Sequence, residues 1–181
     1  FFMGADPMVA KFKKPQPTRS SVVTRNGVKY LMTGTIDQPI LARKGDSVCI
    51  DWGYFYMPSF NGTVSLGEST AVMADFIRHG TLPKSQTEIT SRKSYDVPTL
   101  AYMRNMGRVT TAKSYMMIGY DEIYDIEYMY HRYKGYWARD GHTTIFDAFD
   151  RYHRDYLTIM QRSRQVDRRI YDDGLAAGTE H

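Results

Sequence analysis

The sequence predicts a mainly β fold: an antiparallel β-sandwich followed by a long C-terminal amphipathic α-helix. Three observations carry that prediction. Short apolar and aromatic runs, separated by turn signals such as Asn26-Gly27, Lys44-Gly45-Asp46 and Asn61-Gly62, fill most of the chain without an intervening helical period. Fifteen tyrosines suit the pleated surface of a sheet, where aromatic side chains pack as cross-strand pairs. After Gly141 the apolar residues change to the 3.6-residue period of a helix.

A chain of 181 residues, 42% apolar and 24% charged, is long enough to bury a core and is balanced like a globular domain. Residues 1–27 hold Pro7, Pro15 and Pro17 together with Lys11, Lys13 and Lys14, a composition that predicts an irregular arm or loop. Residues 28–138 are assigned to the sandwich. Its strands are expected at Val28 to Ile36, Ser47 to Met57, Ala71 to Ile77, Thr99 to Met103, Ser114 to Ile118 and Ile123 to Tyr130. In the last of these, Asp125 and Glu127 share one face while Ile126, Tyr128 and Tyr130 share the other, the pattern of a half-buried strand.

Residues 139–178 are assigned to a linker helix. Thr144 and Asp147 have the spacing of a capping box, with Asp in place of the usual Glu or Gln. Ile145, Phe149, Tyr152, Tyr156, Ile159, Val166 and Ile170 then form one stripe, and Arg162, Arg164 and Arg168 fall mostly on the opposite arc. One continuous helix is expected, ending near Asp173-Gly174 because glycine readily takes the left-handed conformation that closes a helix. A stripe this long exceeds what one small sandwich covers, so part of it is expected to meet another domain or a second copy.

Charge and motif content exclude several functions. The net charge of +4 is dispersed among carboxylates, so no nucleic-acid partner is expected. No apolar run reaches the roughly 20 residues that a membrane span requires. Cys49 stands alone within Val48-Cys49-Ile50, which excludes an internal disulfide and a cysteine-rich zinc site and predicts a buried, inert thiol. His79, His131, His142, His153 and His181 lack metal-ligand spacing, so no metal is expected. The glycines form no phosphate-binding fingerprint, no cofactor is expected, and the nucleophile motifs of hydrolases are missing. Asp51, Asp75, Asp121, Glu122, Asp125 and Glu127 could supply paired carboxylates, but spacing alone sets no separation between them.

The most unusual segment is Asp51-Trp52-Gly53-Tyr54-Phe55-Tyr56-Met57-Pro58. Its aromatics would serve as a stacking platform for a sugar ring or, the commoner fate of such residues, as core and cross-strand packing. Asp51, Trp52, Tyr54 and Trp137 are therefore the ligand-binding candidates, and a carbohydrate-binding or glycosidase-associated sandwich is the alternative function. Phe1-Phe2-Met3 is an unusual start, so the sequence is expected to be a segment of a longer protein.

Several stretches together resemble the glutaminase A family. They are Gln38-Pro39-Ile40-Leu41-Ala42-Arg43-Lys44-Gly45-Asp46 leading to Ile50-Asp51-Trp52-Gly53-Tyr54; Pro98-Thr99-Leu100-Ala101-Tyr102 with Met106-Gly107; and Ile118-Gly119-Tyr120-Asp121. Tyr133, Trp137, Val166-Asp167, Ile170, Asp173 and Ala176-Ala177-Gly178 extend the resemblance to the end, so that it covers residues 28–178 in order. It implies a supersandwich-like domain and a linker helix that precede a helical barrel domain, in a secreted or periplasmic hydrolase converting glutamine to glutamate and ammonia. No catalytic residue of that family can be placed on this sequence. The expectation is thus a non-catalytic accessory domain whose partner is the adjacent barrel domain, with self-association through the C-terminal helix when the domain stands alone.

Overall fold

A computed structural model describes residues 1–11, 16–43, 50–92 and 97–178. They form several antiparallel sheets and a C-terminal helix, with 30% strand and 30% helix. The chain divides into two compact units, residues 1–145 and 146–181.

In the first unit, β2 (Thr18–Arg25) and β3 (Val28–Thr35) make a hairpin in continuous register from Thr18 opposite Thr35 to Arg25 opposite Val28. Its turn is Asn26-Gly27, both with positive φ (50° and 79°), as a two-residue hairpin turn that follows the strand twist requires. On either side of this pair lie β6 (Glu88–Ser91), β4 (Tyr54–Pro58) and β8 (Gly119–Asp121), giving a five-stranded sheet in the order β6-β2-β3-β4-β8. A three-stranded sheet has the order β1-β7-β5, from Phe2–Ala5, Pro98–Met103 and Thr63–Glu68. Leu31, Phe55 and Met57 of the larger sheet and Leu66, Leu100 and Tyr102 of the smaller join in one buried cluster, with Ala10. A third, two-stranded sheet consists of β9 (Ile126–Tyr128) and β10 (His131–Tyr133).

Several elements differ from the sequence expectation. The arm expected over residues 1–27 carries β1, paired with β7 from Phe2 opposite Met103 to Ala5 opposite Leu100, and all of β2. Pro7 and Pro17 do not interrupt these strands, and Lys13, Lys14 and Pro15 lie outside the described residues. Pro7 occupies the first helical positions of a short 3-10 turn, Pro7–Ala10, whose cap Asp6 accepts a hydrogen bond from the Met8 N–H, and Pro17 ends just before β2 begins.

The strand expected at Ala71 to Ile77 is a helix, α1 (Ser69–His79). Glu68 accepts hydrogen bonds from the amides of Thr70 and Ala71, and Gly80, at φ 65°, returns its N–H to the Phe76 carbonyl. Caps at both ends outweigh the strand preference of Val72 and Ile77. Ser114 to Ile118 forms no strand, and pairing begins only at Gly119. Of the run Ser47 to Met57, the strand starts at Tyr54; Ser47, Val48 and the Cys49 thiol lie outside the described residues.

Ile123 to Tyr130 is not one half-buried strand. Met129 and Tyr130, with φ of 50° and 65°, form the turn of the β9–β10 hairpin and leave Ile126, Tyr128 and Tyr130 exposed.

The C-terminal helix is two helices, α2 (Ile145–Arg154) and α3 (Tyr156–Ala177), which meet at Asp155. The second runs through Gly174 and ends at Gly178, whose N–H bonds the Gly174 carbonyl. Among the described residues no helix is long and apolar enough to cross a membrane.

Candidate functional site

Three of the ligand-binding candidates, Asp51, Trp52 and Tyr54, lie around the chain reversal between β3 and β4. Asp51 is completely buried; its carboxylate accepts hydrogen bonds from Gln16 Nε2 at 2.9 Å and from the Arg43 guanidinium, and its carbonyl accepts the Thr35 hydroxyl at 2.9 Å. Gln38 clamps the same reversal, donating to the Thr35 carbonyl at 2.7 Å and accepting the Gly53 N–H. Gly53 is required here. Its φ is +85°, and a Cβ would lie 2.2 Å from the Asp121 carbonyl oxygen.

Trp52 is 4% exposed, and its indole N–H donates to the Tyr124 carbonyl at 3.1 Å while its own carbonyl accepts the Tyr120 hydroxyl at 2.8 Å. Asp51 and Trp52 therefore tie loops together from inside. Tyr54 is half-buried at the start of β4, with its ring 6.4 Å from that of Tyr56 in an edge arrangement. Trp137 is half-buried in a single 3-10 turn, Tyr136–Ala138. It neighbours Gly135, where an added Cβ would lie 2.7 Å from the indole nitrogen and 2.8 Å from Asp125 Oδ2. Of the four candidates, Asp51, Trp52 and Tyr54 gather at one reversal, and Trp137 sits beside Asp125.

That carboxylate belongs to a pair not singled out by spacing. After β8 the chain makes a tight turn in which the Tyr124 N–H bonds the Glu122 carbonyl at 2.6 Å around Ile123, whose φ is +67°. A β-branched residue in this left-handed form of the three-residue turn is strained. The turn is held by the Ile123 N–H on Asp121 Oδ1 and by the Asp125 N–H on the Tyr133 carbonyl, both at 2.9 Å. It brings the half-buried carboxyls of Glu122 and Asp125 into a shared hydrogen bond.

Burial pushes Glu122 above the ordinary carboxylate range, and the neighbouring charges of Asp125 and Asp121 add to the effect. Asp125 is also raised by burial, against a hydrogen bond from the Gly135 backbone that favours its charged form. The hydroxyl of Tyr120 is pushed up to about 12, by burial first and then by the charges of Glu122 and Asp51; burial likewise raises Tyr56. The pair can hold one proton between two oxygens and can offer both a donor and an acceptor. No group of three His, Cys, Asp or Glu residues suited to a metal ion occurs among the described residues.

The sequence profile of a domain of unknown function, DUF5127, matches residues 2–173. The chain belongs to this family. Neither the curated proteins nor the solved structures offer a significant match to it.

Two surface features of this DUF5127 domain lie outside the sequence candidates. One is an apolar hollow of about 310 Å³ bordered by Phe1, Tyr102, Met106, Ala112, Tyr115 and Met116. The other is the β9–β10 hairpin, where Ile126, Tyr128, Met129 and Tyr130 are 58%, 62%, 69% and 98% exposed. The tyrosines of residues 124–136 are visible in the sequence, but nothing in their spacing separates exposed rings from packed ones.

Proposed function

We propose that this DUF5127 domain is a non-catalytic, supersandwich-like accessory domain of a glutaminase-like hydrolase, and that α3 docks on an adjacent helical barrel domain of the same polypeptide. The observation that carries the reading is the state of α3. Across its 22 residues none is buried, and Leu157, Val166, Ile170, Tyr171 and Leu175 are exposed. A helix gains most of its stability from packing an apolar face, so one without a buried residue is built to be covered by something else.

The two antiparallel sheets that share one core agree with the sandwich, and the resemblance over residues 28–178 supplies the parent's chemistry. The candidate residues favour an inactive domain. Asp51 and Trp52 are used in tying loops, and Glu122 and Asp125 are engaged with each other through a shared hydrogen bond. In this reading the parent acts outside the cytoplasm, in the secreted or periplasmic space.

Glutamine hydrolysis, followed as ammonia release, tests the proposal in the full-length parent and in this chain side by side. Activity in the parent alone is the expected result. Activity in the isolated chain would overturn the non-catalytic role, and activity in neither would overturn the glutaminase assignment. Sedimentation of the isolated chain should show concentration-dependent association through the uncovered α3; a monomer at high concentration would count against a docking face.

A further inference from the structure

Of the three asparagines in the chain, Asn26, Asn61 and Asn105, one has a hydroxyl residue two positions on: Asn61-Gly62-Thr63. Asn26 is followed by Gly27-Val28 and Asn105 by Met106-Gly107. Asn-x-Ser/Thr, with x other than proline, is the acceptor pattern for N-linked glycans, and it has meaning only where the asparagine stands on an accessible surface.

The fold puts this triplet on such a surface. Residues 59–62 turn the chain from β4 into β5, closed by the Gly62 N–H on the Ser59 carbonyl at 3.1 Å. Asn61 is exposed in that turn with φ of 59°, and Thr63, also exposed, opens β5. Positive φ accounts for an asparagine at position 61. Close packing accounts for the glycine at 62, where an added Cβ would lie 2.5 Å from the Tyr102 ring and 2.6 Å from the Met103 carbonyl oxygen. An exposed strand residue at 63, in contrast, needs no hydroxyl. The Thr63 hydroxyl reaches the Met103 carbonyl at 3.4 Å, a long and weak bond. The Asn26-Gly27 turn has the same backbone chemistry and is followed by valine.

Space and timing both suit a bulky modification. An open hollow of about 540 Å³ adjoins the turn, bordered by Lys29, Ser59, Gly62, Thr63, Thr81 and Pro83, so a saccharide on Asn61 meets free surface in place of packed side chains. The ladder partner of Thr63 is Met103, forty residues further along the chain. A nascent chain therefore presents the triplet unpaired before β7 arrives to fix it.

We propose that Asn61 is an N-glycosylation site, modified as the chain enters a secretory compartment; this rests on the reading of the parent as a secreted protein. The donor is an oligosaccharide joined to a membrane lipid through a diphosphate. The Asn61 amide nitrogen bonds to the anomeric carbon of the first sugar and gives up a proton. The bond from that carbon to the diphosphate oxygen breaks, and the lipid diphosphate leaves with the electron pair. Thr63 supplies the hydroxyl by which the transferring enzyme recognises the acceptor. A glycan at this position keeps the β4–β5 turn facing solvent in the assembled parent, which leaves the docking of a barrel domain to other surfaces.

The test is peptide mapping by mass spectrometry of the full-length parent, recovered separately from the medium and from the interior of the cells that make it. Peptide-N-glycosidase treatment in heavy-oxygen water converts a glycosylated Asn61 into a heavy-labelled aspartate. That label is expected on the secreted parent, lost in Asn61→Asp and Thr63→Ala and kept in Thr63→Ser. Asn61→Asp retains a side chain that tolerates positive φ, and Thr63→Ala leaves the turn itself untouched, so loss of the label in both is not a folding effect. A secreted parent with Asn61 unmodified would overturn the proposal and leave the secreted reading standing. A label that survives Thr63→Ala would overturn the triplet as the acceptor. A parent confined to the cell interior with Asn61 unmodified would overturn both the proposal and the secreted reading.

Discussion

Removing the Asp51 side chain should destabilise the domain more than any change at an exposed carboxylate, and the structure gives the size of the effect. The Asp51 carboxylate is fully buried and meets the Arg43 guanidinium, whose side chain is 32% exposed, and Gln16 Nε2 at 2.9 Å. Removing one partner of a buried ion pair costs about 3–5 kcal/mol, because the remaining charge loses its compensation without regaining full hydration. Arg43 retains access to water, which places Asp51→Ala near the lower end, about 3 kcal/mol. Against a total stability of roughly 5–15 kcal/mol, that is a large fraction. At about 2–4 °C per kcal/mol for a chain of this size, it corresponds to a fall in Tm of roughly 6–12 °C.

Urea unfolding of wild type and Asp51→Ala measures the difference, with calorimetric melting as the second readout. Arg43→Met should be at least as damaging, since it removes the guanidinium that meets the deeper of the two charges. A loss below about 1 kcal/mol in both variants would refute the argument, because exposed pairs cost no more than that.

Three further outcomes follow from the same geometry. Glu122→Gln should flatten the pH dependence of stability: the folded-state pKa is raised above the ordinary 4.5, so the native state holds the extra proton, and stability present below that value is lost as pH rises through the raised pKa. Urea midpoints collected from about pH 4 to pH 8 would show this slope in wild type and a reduced slope in the variant. Gly53→Ala should lower stability by about 2 kcal/mol or more in thermal melts, since it forces a side chain into φ +85° and against the Asp121 carbonyl. Ile170→Asp, in contrast, should change the urea midpoint of the isolated chain by no more than about 0.5 kcal/mol, because the residue is 65% exposed, while reducing its self-association in sedimentation.

Local chemistry made part of the fold legible in the sequence. Asn26-Gly27 specifies the β2–β3 hairpin because few other dipeptides take two left-handed residues cheaply, and the apolar run Thr99 to Met103 falls within β7. α1 was hidden because its N-cap is Glu68, outside the usual Ser, Thr, Asp and Asn, while Gly80 reads equally well as a turn. β1 was hidden for a different reason: its pairing partner lies nearly a hundred positions away, and four residues carry too little periodicity to announce a strand.

At the site, Asp51 and Trp52 were conspicuous in the sequence, but their burial depends on Gln16, Arg43 and Tyr124 arriving from three other segments. The Glu122–Asp125 pair depends on the strained turn at Ile123, and strain imposed by tertiary contacts leaves no trace in residue type. The hairpin tyrosines have the sequence character of packing residues, as aromatics usually do; their exposure follows from β9 and β10 forming a sheet with no third strand among the described residues.

The pairing of β1 with β7 has a consequence for how the chain reaches its native state on the ribosome. Residues 2–5 are made early, yet their hydrogen-bonding partner, residues 100–103, emerges only after the β2–β3 hairpin, β4, β5 and α1 have been synthesised. Phe1 and Phe2 must wait during that interval, and β7 on arrival has β5 beside it and one open edge until β1 is captured. Closing a loop of this length carries an entropy cost that is met only when β7 is in place, so the β1–β7 pairing is expected late in folding. It is also the point of greatest vulnerability, since a β1 strand from a neighbouring nascent chain could take the vacant edge and yield an interlocked dimer in place of a monomer.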